Sequence, residues 1–223
     1  MKPSFEHVWN LTEQEAIQLQ THLAKKVISS DEFLTIDYVA GVDVAYSKYN
    51  NTLIAGIVIL DMRSLDVTES VVVEDDASFP YIPGLFSFRE LPPVAKAFSQ
   101  IKTVPQLVVC DGQGVAHPRR FGLACHLGVL YDIPTIGCGK TRLCGEYIEP
   151  SPERGSSSPL IDQTEIIGNV LRTQTNVKPI FVSVGHKISL PTANQIVLQL
   201  ATKYRLPETT RQADQLVNAR LKR

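Results

Sequence analysis

Tyr38-Val39-Ala40-Gly41-Val42-Asp43-Val44-Ala45-Tyr46 reads as a β-strand with an acid near its middle. Successive side chains of a strand point to opposite faces, so Val42 and Val44 share one face while Gly41, Asp43 and Ala45 share the other. A carboxylate flanked by two small residues leaves room for something large to approach. Buried without a partner it would be costly, so Asp43 calls for a cation, a metal or an edge position. The strand-like run as a whole extends from Ile36, and two more follow, Thr52 to Asp61 and Val67 to Glu74. Turn-like breaks at Lys48-Tyr49-Asn50-Asn51 and Arg63-Ser64-Leu65-Asp66 join the three. Links this short favour an antiparallel meander.

On the N-terminal side, Thr12-Glu13-Gln14-Glu15 is a capping box, and Ala16, Leu19, Leu23 and Val27 recur at helical spacing, which predicts a helix to about Ser29. On the C-terminal side, residues 79–93 are proline-rich, and a helix is expected to begin between Phe88 and Pro93 and run to Ile101. Gln106 to Cys110 is a short apolar strand, Phe121 to Tyr131 a helix, and Pro134 to Gly137 another buried strand. Pro150 to Pro159, rich in Ser, Pro and Gly, reads as a loop. Glu165 to Thr173 and Pro179 to Gly185 form a strand hairpin, and Asn194 to Tyr204 and Thr210 to Arg220 close the chain as helices. Antiparallel strands followed by alternating helix and strand imply an α/β fold, a mixed sheet with helices on its faces.

The 223 residues are 43% hydrophobic and 20% charged, with mean hydropathy −0.01, which excludes a disordered, collagen-like or coiled-coil chain. One domain over 1–223 is expected. The longest uncharged apolar stretch, Thr52 to Leu60, is far short of the ~20 residues of a membrane span. The start, Met1-Lys2-Pro3-Ser4-Phe5-Glu6-His7, lacks a signal-peptide apolar block, so a soluble, cytoplasmic protein, monomeric by default, is expected. Net charge is −1, so no global field draws the chain to nucleic acid. Locally, residues 61–76 carry −5, 203–223 carry +4, and 117–142 carry +3; the basic segments, with Arg119 and Arg120 in the second, suit phosphate contacts. Cys110, Cys125, Cys138 and Cys144 show no C-x-x-C spacing and read as reduced structural thiols.

Asp111 ends the apolar strand Leu107-Val108-Val109-Cys110 and opens Asp111-Gly112-Gln113-Gly114, followed by His117, Arg119 and Arg120. Ligands gather at the carboxyl ends of parallel strands, where glycine lets a backbone approach closely. Asp43 and Asp111 on neighbouring strands, joined by Glu90 from a helix start, could hold a pair of Mg²⁺ ions about 3.5–4 Å apart. Asp214 in the last helix is a fourth candidate. Carboxylate oxygen suits Mg²⁺, and no Cys/His cluster invites Zn²⁺. Gly139-Lys140-Thr141 resembles the end of a phosphate-binding loop, but Pro134 stands where that loop needs glycine; Lys140 could instead contact a phosphate or a leaving charge. Gly-x-Ser-x-Gly and His-Glu-x-x-His are absent, against the common serine hydrolases and zincins. His186 reads equally as functional or as a satisfied loop histidine, and His126 as a core residue. Phe79-Pro80-Tyr81-Ile82-Pro83-Gly84 stiffens a short loop that presents Tyr81 and Ile82, which could serve as a buried anchor or as a wedge in a base stack.

Together these motifs resemble the endonuclease V family, nucleases that act at deaminated adenine: Gly41-Val42-Asp43-Val44-Ala45-Tyr46, Pro80-Tyr81-Ile82-Pro83-Gly84, Phe88-Arg89-Glu90, Asp111-Gly112-Gln113-Gly114 with His117-Pro118-Arg119, Gly137-Cys138-Gly139-Lys140 and Val182-Ser183-Val184-Gly185-His186 stand in family order. The resemblance implies an RNase H-like fold, a mixed five-stranded core with flanking helices and an additional hairpin, whose first and fourth strands place Asp43 beside Asp111. It implies that Asp43, Glu90 and Asp111 carry Mg²⁺ (Mn²⁺ as a substitute), that Asp214 adds a last carboxylate, and that Lys140 and His117 assist at the phosphate. Tyr81, in its loop of Pro80, Ile82 and Pro83, would fill the gap left by a hypoxanthine turned into a pocket of Gly84, Leu85, Gly112 and Gly122. Arg119 would meet the backbone. The expected reaction is hydrolysis of the second phosphodiester 3′ to deoxyinosine in DNA, leaving 3′-hydroxyl and 5′-phosphate ends, with inosine-containing RNA as a further substrate. The rival readings are another RNase H-like nuclease, for junctions or RNA–DNA hybrids, and a non-catalytic inosine-binding sensor.

Overall fold

The computed structural model describes residues 1–222; Arg223, counted in the basic C-terminal segment, lies outside them. Thirteen elements follow in order: α1 (Glu13–Ala24), β1 (Tyr38–Tyr46), β2 (Thr52–Asp61), β3 (Val67–Asp76), α2 (Phe86–Phe98), β4 (Leu107–Cys110), α3 (Leu123–Tyr131), β5 (Thr135–Gly139), β6 (Ser157–Asp162), β7 (Glu165–Leu171), β8 (Ile180–His186), α4 (Leu190–Leu200) and α5 (Glu208–Leu221). The strands form one sheet in the order β3-β2-β1-β4-β5-β8-β7-β6. β1 is antiparallel to β2 and parallel to β4, and β4 is parallel to β5. The first five strands in that order are the mixed core implied by the resemblance. The sheet then runs on through β8 and the β6–β7 hairpin, which extend that core to eight strands in one sheet.

Strand alternation divides the core between two faces. Val39, Val58, Leu107 and Val109 pack with Ala193, Val197 and Leu200 of α4 and Ala213 of α5. Ala40, Val42, Ile57, Val108 and Cys110 pack with Leu91, Val94 and Phe98 of α2 and Leu127 and Leu130 of α3. The sheet is therefore a middle layer, with Asp43 on the α5 side by its parity with Gly41. Among the described residues, no helix is long and apolar enough to cross a membrane.

Four expected boundaries move, the first three for a local reason. α2 starts at Phe86, so Pro92 and Pro93 lie within the helix and Glu90 sits a full turn in, not at its start. Each interior proline costs about 3 kcal/mol, and the burial of Phe88, Leu91, Val94 and Phe98 offsets it. α4 starts at Leu190 because Ser189 accepts from the Thr192 N–H and Pro191 fits the first turn. Residues Ser157–Asp162, expected to fall partly in a loop, form the edge strand β6, where Pro159 needs no ladder donor on its open side. α1 ends at Ala24, a turn short of Ser29.

Candidate active site

Two glycines let α5 lie directly on the sheet. A Cβ on Gly41 would stand 2.1 Å from the Thr209 carbonyl oxygen, and one on Gly56 would stand 2.6 Å from Val217 Cγ1. What approaches Asp43 between its small neighbours is thus the chain's own last helix. Seated there, α5 delivers Asp214. The β1–β4 register pairs Val42 with Cys110, which sets Asp111 beside Asp43 at the next position. Carboxylate oxygens of Asp43, Asp111 and Asp214 all lie within 4.8 Å of one another.

Lys140, next after β5, is the cation at this cluster. Its Nζ lies 2.5 Å from Asp111 Oδ2 and 3.5 Å from Asp214 Oδ1. The ammonium stays protonated because the Asp111 hydrogen bond and the surrounding carboxylates outweigh its partial burial. One lysine against three acids leaves net negative charge in a partly enclosed place. Burial and then the Asp111 charge push Asp43 up to about 6. Asp111 is raised as well, by burial that exceeds the relief from Lys140. Three carboxylates converging without imidazole or thiolate suit a hard divalent cation that prefers oxygen.

Glu90 stands outside this triad but in its field. Tyr46 on β1 donates its hydroxyl to Glu90 Oε1 at 2.6 Å, and the Arg89 guanidinium lies 5.4 Å from the Tyr46 ring centroid. Burial pushes Glu90 up to about 7, with the Asp43 and Asp111 charges adding to it against the Tyr46 hydrogen bond. Sequence reading passed over Tyr46. Its parity with Val42 and Val44 places it on the α2 side of the sheet and was the available signal.

A cavity of about 320 Å³ is lined by Glu90, Asp111 and Lys140 together with Gly84, Ser87 and His117. Gly112 and Gly122 also line it, whereas the Leu85 side chain is buried with Ala16, Phe79 and Phe88. Gly84 adopts φ +80°, a conformation that favours glycine. Its carbonyl accepts from Gln20 Nε2 at 3.0 Å, His117 Nε2 at 3.0 Å and Arg119 Nη2 at 2.9 Å. Gln20 Nε2 also donates to the Phe121 carbonyl, and Gln20 Oε1 accepts from Arg119 Nε. Gln20, unmarked in the sequence, is therefore central to this knot.

His117 Nδ1 accepts from the Arg119 backbone N–H at 3.1 Å, so the proton on Nε2 is the one donated to Gly84. Burial and the adjacent Arg119 charge hold His117 down to about 4. Both ring nitrogens are engaged within the protein. Arg119 is likewise committed to the knot, and Arg120 pairs with Asp162 at 2.9 Å and Glu165 at 2.8 Å. Ahead of Gly84, Pro80 and Pro83 are exposed, Tyr81 is 65% exposed with its ring 4.7 Å from that of Phe86, and Ile82 packs inward against Phe79 and Phe88. His186 sits elsewhere, its Nδ1 accepting from the Ile28 N–H, and His126 is fully buried.

The chain matches the family model for Endonuclease V over residues 21–215. The endonuclease V of Rippkaea orientalis is 53% identical over 92% of this chain and 90% of its own length. That of Nostoc punctiforme is 48% identical over 99% of this chain and all of its own length (100%). The crystal structure of Streptomyces avermitilis endonuclease V matches with a TM-score of 0.92 and 47% identity, covering 96% of this chain and 95% of that one. Ciona intestinalis endonuclease V, crystallised with a 23mer DNA containing an inosine followed by a ribo-adenosine, matches with a TM-score of 0.85 and 31% identity, over 95% of this chain and 99% of that one.

Proposed function

This chain belongs to the endonuclease V family, and from that premise we propose that it nicks DNA at deoxyinosine, hydrolysing the second phosphodiester on the 3′ side and leaving 3′-hydroxyl and 5′-phosphate ends. Inosine-containing RNA is a second substrate of the same site. The observation that carries the reading is the convergence of Asp43, Asp111 and Asp214, where Asp111 also lines the cavity that meets the pinned Gly84 turn. One chain supplies the whole cluster, from β1, the residue after β4, and α5, which supports a single domain over 1–223 acting as a monomer; the location proposed for it is cytoplasmic.

Asp43, Asp111 and Asp214 would hold Mg²⁺, with Mn²⁺ as a substitute and Glu90 in support. Bound there, the cation supplies charge neutralisation at the scissile phosphate and makes the attacking water more acidic. Lys140 lies where its ammonium can meet a phosphate oxygen or the departing 3′-oxygen. Glu90, held near neutrality by its surroundings, can take up a proton at its carboxylate. Tyr81 enters the gap left by the turned-out base, and the donors on Gly84, including His117 and Arg119, fix the loop from which Tyr81 projects. His117 thus positions the loop instead of touching the phosphate. Gly84, Gly112 and Gly122 wall the base pocket.

The test is a labelled duplex with one deoxyinosine, incubated with Mg²⁺, beside an undamaged duplex and the Asp43→Ala protein. A metal-dependent nick one nucleotide beyond the lesion, far weaker on the undamaged duplex and lost in the Asp43→Ala protein, is expected. Binding without cutting would point to an inosine sensor. Cutting of junctions or hybrids in preference to inosine would move the substrate elsewhere among RNase H-like nucleases.

A further inference from the structure

A second hydrogen-bonded chain reaches the cavity through Ser87. His7 Nδ1 lies 2.9 Å from the Val8 carbonyl oxygen, which can only accept, so that nitrogen carries a proton. His7 Nε2 lies 2.9 Å from His126 Nε2, and His126 Nδ1 lies 2.9 Å from Ser87 Oγ. Burial keeps both imidazoles neutral, so the remaining protons are assigned in sequence. His7 Nε2 accepts, His126 Nε2 donates to it, and His126 Nδ1 accepts from the Ser87 hydroxyl. The rings of Trp9, Phe88 and Phe121, with centroids 5.6, 5.0 and 5.3 Å away, enclose His126. Ser87 is 3% exposed and lines the cavity.

We infer that the His7–His126 relay fixes the Ser87 hydroxyl as a hydrogen-bond acceptor toward the cavity, and that this oxygen reads the N1–H of hypoxanthine. The assignment rests on the proposed function and deepens it. A hydroxyl has one proton, and Ser87 commits it to His126, so only lone pairs remain for a ligand. Hypoxanthine joined through N9 offers a single N–H donor, at N1, while N3, N7 and O6 accept. Adenine presents a lone pair at N1 and would meet lone pair with lone pair. Guanine keeps its N1–H, so this device leaves its exclusion to the pocket walls. A site built to bond a particular N–H discriminates strongly against an analogue lacking it.

The experiment compares nicking of duplexes carrying deoxyinosine, deoxyadenosine or deoxyguanosine at one position by wild type, Ser87→Ala and His7→Ala. Ser87→Ala should lower kcat/KM on inosine about tenfold to a hundredfold, without the same loss on adenosine. The inosine-to-adenosine ratio should therefore narrow while the inosine-to-guanosine ratio holds. His7→Ala, near the surface, frees the His126 tautomer and should shift the first ratio the same way, about threefold. Nitrogen-15 NMR of the wild type should find His126 neutral with its proton on Nε2. A proton on Nδ1, or an unchanged inosine-to-adenosine ratio in Ser87→Ala, overturns the assignment. A wild type that leaves inosine DNA uncut sinks the functional reading and this assignment with it, while the tautomer measurement still reports on the relay alone.

Discussion

Around Gly84 three donors converge on one carbonyl oxygen, whereas around Asp43 three carboxylates converge with one lysine between them. Asp111 and Lys140 from the acid group and Gln20, Gly84 and His117 from the loop group line the same cavity, yet the energetics of the two groups oppose each other. The loop side is satisfied from within the protein, and its geometry is set before any ligand arrives. The acid side holds unrelieved like charge that a bound cation would neutralise. Stability and activity should therefore part company along the cavity wall.

The largest effect should come from the acid side. Asp43→Asn is expected to lower inosine nicking by about three orders of magnitude. The metal-free protein should melt a few degrees higher, because a buried like charge is gone. Mg²⁺ at roughly a hundred times its Kd should raise the wild-type Tm by about 5–10 °C and the variant's far less. Thermal melts with chelator and with Mg²⁺ check both; a variant that melts well below wild type in chelator would remove the idea of stored repulsion.

On the loop side the order reverses. Arg119→Ala strips a donor from Gly84 and a partner from Gln20, and a cost of about 2–4 kcal/mol is expected, measured by urea unfolding. Its catalytic defect should be smaller than that of Asp43→Asn. A stability change under about 0.5 kcal/mol would mean the knot does not hold the loop.

Legibility in the sequence follows the same division. Asp43 and Asp111 were readable because one stands out as an acid within an apolar strand and the other as an acid directly after one, and the parallel pairing of β1 with β4 brings them together. Gly41 hinted that something large lies against β1, but nothing local says it is the backbone at Thr209, 168 positions along the chain. Asp214 could therefore be named as a candidate without being placed. The knot was opaque: Gln20 is a polar residue on a surface-like helix until Gly84 and Phe121 meet it in three dimensions. Arg119 and Arg120 carried a visible positive charge, but their partners Gln20, Asp162 and Glu165 come from distant segments. β6 was lost to its own composition, since Ser and Pro read as loop although an open edge accommodates both.

Acidity sharpens the contrast with opposite signs. Asp43, raised to about 6 in the folded protein against about 4 when unfolded, favours folding at low pH and disfavours it progressively as pH rises through 6. The advantage of Asp43→Asn over wild type in chelator should thus be near zero at pH 4 and reach about 2–3 kcal/mol by pH 7. His117, held to about 4, contributes stability that is complete above pH 6.5 and lost as pH falls toward 4. His117→Gln should flatten that acid limb while starting from lower stability at neutral pH. Urea unfolding across pH 4–8 separates the two, and an Asp43→Asn advantage that does not grow with pH would remove the repulsion from the account.

The smallest effect divides two neighbours in one loop. Tyr81 is 65% exposed, and Ile82 packs among Phe79, Leu85 and Phe88. Tyr81→Ala should weaken binding of inosine DNA about tenfold while moving Tm by no more than about 3 °C, its stacking on Phe86 being a half-solvated contact. Ile82→Ala should do the reverse, lowering stability by about 1–2 kcal/mol with affinity falling only as far as the loop loosens. Fluorescence anisotropy on a labelled duplex and thermal melts of both variants decide between them. If Tyr81→Ala proved the more destabilising of the two, the loop would be a folding anchor through its tip, and the wedge role would have to pass to another residue.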